Sequence, residues 1–368
     1  MNQVERMFFD IDGSYPDLPE RPSKDDLLSI VEDPNFPLNR KSIVSKKNEG
    51  AVHTVKLKIL QALSRYNHSL GCSIIGENGY STNSCALVGE SSVGKTHLAK
   101  LIAECISITF IEIQPKSVSD TQDIFNEIYK GFAEDGIELV DDNGKFFLPP
   151  CIVFIDEVHE LSGKLKNAEG LLNAIEPSDA ILKTKDGLVI DCFNVCWIVA
   201  TTEVGKLFHA LKTRMDIIEL YPPGFDEIAK IVQLDNPDWD KSLCELVAKF
   251  CRVPREAKRF ADKLRAQKAF YYGSWEDSAI KIAKSKGIDE EGMHYKEIAL
   301  LNAIKNGPVG KKNLPSLLQC QTEEVENDIL PPLMRQYNDR PPLIKMTRKG
   351  VTITESGKKE LEKRGVAV

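Results

Sequence analysis

The sequence predicts an α/β fold with a parallel sheet, followed by a helical region and a small C-terminal domain. Two patterns lead to this prediction. Between residues 85 and 202, short apolar runs alternate with amphipathic segments, and several runs are apolar throughout, which is typical of parallel strands buried on both faces. From about Pro222 onward, the apolar residues recur at helical spacing instead.

The α/β part follows a regular strand–helix rhythm. An arm interrupted by five prolines (1–50) and a Gly- and Ser-rich loop (71–84) precede the first strand. The segment 136–148 has an Asn-Gly pair between apolar residues, which predicts a hairpin. Strands are predicted at 85–89, 108–113, 151–156 and 195–202, and helices at 55–70, 95–106, 120–134 and 167–176.

The second half of the chain predicts two further domains. Three amphipathic helices follow Pro222, and after Gly287 three short helices precede a hairpin around Lys349-Gly350. Helices followed by a hairpin in this order are typical of a winged helix. The predicted domains are an arm (1–50), an α/β core (51–221), a helical lid (222–287) and a winged helix (288–368).

Composition excludes several classes of protein. The chain has a net charge of −7, so any contact with nucleic acid requires a local basic surface. Its first residues, MNQVERMFFDIDG, form no long apolar run, and no segment is long and apolar enough to span a bilayer, so we expect a soluble cytoplasmic protein. The nine cysteines lack the paired spacing of metal sites and are expected to be reduced and unreactive.

A phosphate-binding loop is the strongest motif. GESSVGKT, residues 89–96, matches G-x-x-x-x-G-K-[ST] between a predicted strand and a predicted helix. Backbone N–H groups of such a loop bind the phosphates of ATP, the lysine reaches the β and γ phosphates, and the threonine hydroxyl ligates Mg²⁺. The predicted nucleotide contacts are Gly89, Glu90, Ser91, Ser92, Val93, Gly94, Lys95, Thr96 and His97.

Two later strands end in polar residues that suit ATP hydrolysis. CIVFIDEVHEL (151–161) places Asp156 where it can hold Mg²⁺ and Glu157 where it can polarise the attacking water. The alternative is a strand that merely ends in two solvated acids. VCWIVATTE (195–203) makes Thr202 a candidate sensor of the γ-phosphate, while His159, without a nearby Cys or His, is expected to be structural.

Two arginines are candidates for contacts with the γ-phosphate. Arg214 follows a helical stretch and could reach the nucleotide of a neighbouring subunit. Arg255 begins a helix of the lid and could reach it from within the same chain. The alternatives are a solvated surface arginine for Arg214 and a simple ion pair for Arg255.

The C-terminal tail is the candidate DNA-binding surface. Eight basic and three acidic residues lie between Arg340 and Arg364, a local reversal of the chain's acidic balance that suits phosphate contacts. The preceding helix is acidic, so we expect the hairpin to contact DNA through Lys345, Arg348 and Lys349. A winged helix that binds protein instead of DNA is the alternative.

Taken in order, these segments resemble the RuvB family of hexameric AAA+ motors, which drive branch migration of Holliday junctions. FIDEVHEL, VATTEVGKL and VPREAKRF are similar to the Walker B, sensor-1 and sensor-2 segments of that family. GIDEEGMHYKEIALLNAI followed by GPVGKKNLPSLL is similar to the start of its winged helix. The resemblance covers roughly residues 50–365.

The resemblance implies a AAA+ P-loop NTPase core with a parallel sheet, an α-helical lid and a C-terminal winged helix. It implies ATP and Mg²⁺ as ligands, assembly into a homo-hexameric ring, four-way-junction or duplex DNA as substrate, and a RuvA-like protein as partner. Carried over by position, Thr202 would be sensor 1, Arg214 the finger acting in trans, Arg255 sensor 2, and Tyr221 a lesser nucleotide contact, with Lys345 and Arg348 on DNA.

Some segments depart from the family pattern. Glu203 stands where the family has arginine, Arg214 is followed by Met-Asp rather than Phe-Gly, and Arg252 replaces a glycine. The segment 181–191 occupies the place of the partner-docking hairpin but is shorter, and 136–150 is inserted. The hypothesis is a ring-shaped DNA motor for branch migration. Its rivals are an ATPase that loads a helicase or clamp, and a DNA-binding switch that ATP merely assembles.

Overall fold

The computed structural model describes residues 84–106, 109–139, 141–142, 144–149, 151–161, 168–176, 180–192, 195–203, 205, 209–270, 273–336 and 340–367. The predicted arm and the helix predicted at 55–70 lie outside these residues. The chain divides into two compact units, Met1–Tyr221 and Pro222–Val368. Among the described helices, none combines the length and apolarity that crossing a bilayer requires.

The first unit is built on a parallel five-stranded sheet in the order β2-β5-β8-β1-β9. This confirms the predicted α/β class with a parallel sheet. The edge strand β9 was not predicted. The strands of this unit are β1 (Cys85–Val88), β2 (Thr109–Ile113), β3 (Asp141–Asp142), β4 (Lys145–Phe147), β5 (Cys151–Ile155), β6 (Ile181–Lys183), β7 (Val189–Asp191), β8 (Val195–Thr201) and β9 (Asp216–Glu219).

Both faces of this sheet are buried, which explains why its central strands are apolar throughout. In β5, Val153 and Ile155 belong to one hydrophobic cluster, whereas Ile152 and Phe154 belong to another. Successive side chains of a strand point to opposite faces, so an uninterrupted apolar run supplies both clusters. Within the described residues, the helices of this unit are α1 (Lys95–Ile106), α2 (Thr121–Glu134), α3 (Ala168–Ile175) and α4 (His209–Lys212).

A second sheet, of four strands, contains both the inserted segment 136–150 and the segment 181–191, which was compared above with the partner-docking hairpin. The predicted hairpin at 136–148 is confirmed as β3–β4, and Gly144 supplies the positive φ of +82° at its turn. Residues 181–191 form the antiparallel hairpin β6–β7, and β4 pairs in parallel with β7. The two segments therefore form one sheet, a pairing that the sequence did not indicate.

The β6–β7 hairpin is fastened to the start of α2. The Thr121 hydroxyl donates to the Lys183 carbonyl at 2.7 Å, and Lys185 pairs with Asp120. Asp120 also caps α2 by accepting from two backbone N–H groups. The hydrogen bond from Lys185 is the main reason that the pKa of Asp120 is lowered.

The second unit begins with the helical lid. Its helices pack around a single cluster that contains Trp239, Phe250 and Phe260. The sequence predicted three of these helices, and the fourth, α8, was missed. The lid helices are α5 (Phe225–Asp235), α6 (Lys241–Phe250), α7 (Pro254–Phe270) and α8 (Trp275–Ser285).

The predicted winged helix follows, with its own hydrophobic cluster. Gly350 turns the wing with φ +124°, and a Cβ there would lie 2.3 Å from the Val309 carbonyl oxygen, so only glycine fits. Its elements are α9 (Tyr295–Ile304), α10 (Leu314–Leu318), a continuous helical stretch α11 (Thr322–Glu324, a π-helical turn Val325–Ile329, and Leu330–Met334), β10 (Ile344–Thr347), β11 (Gly350–Ile353) and α12 (Glu355–Glu362).

A buried ion pair joins the lid to the winged helix. Arg252, just ahead of α7, donates to both carboxylate oxygens of Glu297 in the first turn of α9, at 2.9 Å for the Nη2–Oε2 bond. Its Nη2 also donates to the Gly292 carbonyl at 3.1 Å. The Glu297 side chain is only 5% exposed, so the bidentate hydrogen bonds from Arg252 replace the water that its carboxylate has lost.

Replacing Arg252 should destabilise the second unit. Arg252→Ala leaves the buried Glu297 carboxylate without its cation, and breaking such a pair typically costs about 3–5 kcal/mol. We expect a lower midpoint of urea unfolding, followed by the fluorescence of Trp239 and Trp275, which both lie in the lid. As a control, Lys241→Ala removes an exposed pair with Glu245 and should change little. Equal effects of the two substitutions would contradict a stabilising role for the Arg252–Glu297 pair.

Candidate functional site

The candidate site lies at the carboxyl edge of the central sheet. The phosphate loop follows β1, Asp156 and Glu157 follow β5, and Thr202 follows β8. In the register of the sheet, Val88 at the end of β1 is paired with Thr201 at the end of β8. Because β8 lies between β1 and β5, the three polar segments meet at one edge, where open α/β sheets bind their ligands.

The loop of residues 89–94 has a backbone suited to phosphate. Ser92 and Gly94 have positive φ angles of 65° and 101°, a curvature that turns backbone N–H groups toward a common centre. Position 89 requires glycine because the backbone of Leu220 passes close to it: a Cβ there would lie 2.4 Å from the Leu220 carbonyl oxygen. Val93 is buried beneath the loop, while Glu90, Ser91 and His97 are exposed.

Lys95 and Thr96 begin α1, where Lys95 contacts the phosphate loop and Thr96 faces Asp156. Lys95 is 6% exposed, and its Nζ donates to the carbonyls of Gly89 and Glu90, at 3.0 Å each. The Thr96 hydroxyl lies 3.3 Å from Asp156 Oδ2. A hydroxyl beside a carboxylate is a set of hard oxygen ligands of the kind that Mg²⁺ prefers, so these two residues fit the cation.

Glu157 contacts the predicted sensor threonine. Its Oε2 accepts from the backbone N–H of Thr202 at 3.1 Å and from the Thr202 hydroxyl at 3.0 Å. Glu157 has a positive φ of 47°, a left-handed conformation that is uncommon for a residue other than glycine. Such outliers concentrate at functional sites, and here the turn brings the carboxylate to the end of β8.

Three residues of this network were missed from the sequence. The His159 ring, judged structural there, lies 3.2 Å from Glu157 Oε2 through Nδ1 and 2.9 Å from the buried Thr201 hydroxyl. Its Nε2 lies 3.5 Å from Glu203. The available signal was the pair of threonines at the end of β8 and directly after it, since two neighbouring hydroxyls can contact two partners on opposite sides of the strand.

The remaining predicted nucleotide contacts lie in different places. The Arg214 Nε donates to Glu176 Oε2 at 2.6 Å within the same chain. Tyr221, which is 37% exposed, donates its hydroxyl to Glu219. Arg255 is exposed in the first turn of α7, in the second unit. The roles of these three residues at the γ-phosphate or the nucleotide stay predictions.

The wing presents the predicted DNA contacts to solvent. Lys345 lies on β10, and Arg348 and Lys349 form the turn between β10 and β11; all three are exposed. Met346, between them, is also 45% exposed. The tip of the hairpin is therefore a small basic surface with one apolar side chain.

Arg340 and Arg364, two of the eight basic residues counted in the tail, are engaged in ion pairs rather than free at the surface. The Arg364 side chain is only 14% exposed and binds Asp289 and Glu360, at 2.8 and 2.6 Å. Arg340 pairs with the same Glu360 at 3.8 Å. These arginines link α12 of the winged helix to the residues that precede it, so the exposed cations of the predicted DNA-binding surface are concentrated at the wing tip.

The described cysteines show no reactive environment. Seven are free thiols, and burial raises the pKa of Cys196 to about 12. Burial also raises the pKa of Cys151 and Cys192. A thiol with a raised pKa stays protonated and is a poor nucleophile and metal ligand.

Comparisons with known proteins agree with this geometry. The family described as "ATPase family associated with various cellular activities (AAA)" matches residues 85–223. The protein named Holliday junction branch migration complex subunit RuvB from Mycoplasma pneumoniae is 25% identical over 290 residues, covering 75% of this chain and 85% of that protein. The protein of the same name from Tropheryma whipplei is 25% identical over 339 residues, covering 86% of this chain and 91% of its own.

A solved structure extends the likeness to the fold. The Thermotoga maritima RuvB Holliday junction branch migration motor superposes with a TM-score of 0.58, covering 85% of this chain and 94% of that one at 22% identity. The AAA match covers the segments that bear the phosphate loop, the paired acids and the sensor threonine. The curated relatives extend over most of the chain. The chain is therefore a divergent RuvB-like ATPase of the AAA+ class.

Proposed function

We propose that this ATPase is a DNA motor that moves duplex DNA through a ring and drives branch migration of four-way junctions in recombination and repair. The observation that carries the proposal is the extent of the likeness to proteins named as branch-migration subunits, which reaches 86% of this chain. A match confined to the ATPase core would have left the substrate open. Here the winged helix is part of the architecture.

In the proposed mechanism, the loop residues bind ATP and Thr96 and Asp156 hold Mg²⁺. The N–H groups around Ser92 and Gly94 would bind the phosphates, and Lys95 would exchange the loop carbonyls for the β and γ phosphates. The cation, when bound, neutralises charge that develops on the phosphate oxygens. The proximity of the Thr96 hydroxyl to Asp156, at 3.3 Å, supports this assignment.

Glu157 would act as the base that orients and polarises the attacking water. Its carboxylate lies beside Thr202, the proposed γ-phosphate sensor. Thr202 would therefore contact the base in one state and the phosphate in another, so that nucleotide binding changes the partners of Glu157. This exchange would tie the orientation of the base to the presence of the γ-phosphate.

Assembly into a homo-hexameric ring would complete each site. Arg214 would leave Glu176 and reach the γ-phosphate of the neighbouring subunit, while Arg255 would act from the lid and Tyr221 would contact the nucleotide. An arginine supplied in trans makes hydrolysis in one subunit depend on the neighbouring subunit, which suits a motor whose subunits hydrolyse ATP in turn. A RuvA-like partner would dock on the sheet that contains β6–β7.

Branch migration of a synthetic four-way junction, with a pair of wing substitutions, tests the proposal. Wild-type protein with ATP should convert the junction into duplex products. Lys345→Ala with Arg348→Ala should weaken DNA binding roughly ten-fold and lower the slope of log affinity against log salt by about two, since two phosphate contacts are lost. Binding is measured by fluorescence anisotropy at several salt concentrations, and migration by gel electrophoresis.

The control variant removes two positive charges from the lid instead of from the wing. Lys241→Ala with Lys281→Ala replaces two exposed lysines of the lid and should leave DNA affinity unchanged. Unchanged affinity of the wing variant would move DNA binding away from the hairpin. ATP hydrolysis without any junction conversion, with or without a RuvA-like protein, would contradict the motor and favour a loading ATPase.

A further inference from the structure

His159 lies beside Glu157, one of the predicted catalytic groups. It lies in the short 3₁₀ turn Val158–Leu161, which follows directly on Asp156 and Glu157. Its side chain is only 13% exposed. Burying an imidazole away from water requires partners for its polar nitrogens, so the identity of those partners is informative.

Both ring nitrogens face carboxylates. Nδ1 lies 3.2 Å from Glu157 Oε2 and 2.9 Å from the Thr201 hydroxyl, while Nε2 lies 3.5 Å from Glu203 Oε1. The Thr201 hydroxyl also accepts the backbone N–H of Glu203 at 3.0 Å. The ring therefore links the turn that bears the acids to the residues that end β8.

The contacts of Glu157 divide its two oxygens between different tasks. Three contacts surround Oε2: the N–H of Thr202 and the hydroxyl of Thr202 donate to it, and Nδ1 of His159 lies 3.2 Å away. The contacts that the structure gives the Glu157 side chain all fall on this oxygen. Oε1 is therefore the oxygen that a water molecule would use, and its direction depends on how firmly Oε2 is held.

We propose that His159 is a positioning residue for ATP hydrolysis: it holds Oε2 of Glu157 so that Oε1 faces the attacking water, and Glu203 orients the His159 ring. The proposal deepens the proposed function and rests on Glu157 as the base. When Thr202 turns toward the γ-phosphate, two of the three contacts of Oε2 are disturbed, and the contact with His159 remains. A misplacement of about 1 Å in a reacting group can cost roughly 10²-fold in rate, so one such contact is enough to matter.

A double-mutant cycle on His159 and Glu203 tests the proposal. His159→Ala should lower kcat for ATP by roughly ten- to a hundred-fold with less than about a three-fold change in KM. Glu203→Gln should lower kcat by a smaller factor, because it acts only through the ring. In the His159→Ala background, Glu203→Gln should have no further effect, since the group that it orients is gone.

Conservative variants separate positioning from a general structural role. Asparagine places an amide N–H near the position of Nδ1, whereas glutamine places one near Nε2, so His159→Asn should recover more of kcat than His159→Gln. This comparison also serves if the alanine variant fails to fold. Glu160→Gln, a change in the same 3₁₀ turn, is the matched control and should hydrolyse ATP at the wild-type rate.

Three results would overturn the proposal: additive losses in the cycle, equal recovery by asparagine and glutamine, or a loss of kcat that is matched by a loss of nucleotide affinity or of Tm. Hydrolysis is measured without DNA, so the outcome does not depend on translocation. If Glu157→Gln leaves hydrolysis intact, the assigned base is wrong and the role of His159 falls with it. If Glu157→Gln is inactive and the His159 variants are not, only the role of His159 fails.

Discussion

Glu157→Gln should abolish ATP hydrolysis while leaving ATP binding close to normal. The amide has the shape of the carboxylate but cannot take a proton from water, and loss of a general base typically costs about 10²–10⁴-fold in rate. The groups expected to bind ATP and Mg²⁺ are other residues: the phosphate loop with Lys95, and the Thr96–Asp156 pair. Phosphate release measures turnover, and a fluorescent ATP analogue measures affinity.

Two comparisons make this result specific to Glu157. Lys95→Ala should lose nucleotide affinity as well as turnover, because Lys95 contacts the loop itself. Glu160→Gln removes a nearby acid and should change neither quantity. Turnover by Glu157→Gln at the wild-type rate would refute the assignment of the base and leave Asp156 as the only acid of the pair with a role.

Mixing two inactive variants should restore part of the hydrolysis. Arg214→Ala should lower the rate by about 10³–10⁵-fold if the arginine completes a neighbouring site. Lys95→Ala should be inactive in its own site yet still offer an intact Arg214. In a mixed ring, some interfaces combine an intact loop with an intact arginine, and hydrolysis there is measured as a function of the mixing ratio.

The structure makes this experiment discriminating, because Arg214 has a partner in its own chain. Its Nε lies 2.6 Å from Glu176 Oε2, and both side chains are partly exposed, at 29% and 33%. Lys212→Ala, in α4 just ahead, is the control and should remain active alone. If no ratio of the two variants restores hydrolysis, then Arg214 acts within its own subunit, where its pair with Glu176 already holds it.

The central elements were predictable because their signals are local. The phosphate loop and the Asp156-Glu157 pair each follow an apolar run that is buried on both faces, and both faces of the sheet are filled in the structure. β9 was missed because Asp216–Glu219 is four residues long, with only two apolar side chains. Its place is set by pairing with β1, a contact between distant residues that no local pattern records.

The same reasoning explains what was missed at the site. Thr202 followed from its position at the end of a buried strand, but the contact of His159 with Thr201 joins two segments that are far apart in sequence. A count of charges also cannot distinguish an exposed cation from one in an ion pair. Arg364 contributed to the predicted basic surface, although it lies against Asp289 and Glu360 inside the second unit.

The contact between Arg252 and Glu297 limits how the lid and the winged helix can be separated into fragments. The predicted boundary between the lid and the winged helix falls at residues 287 and 288, yet a Cβ on Gly292 would lie 2.2 Å from the Lys249 carbonyl oxygen of α6. A fragment that starts at residue 288 would keep Glu297 and lose the arginine that neutralises it. We therefore expect such a fragment to be less stable than one that retains the lid, so measurements on the winged helix call for a fragment that includes both.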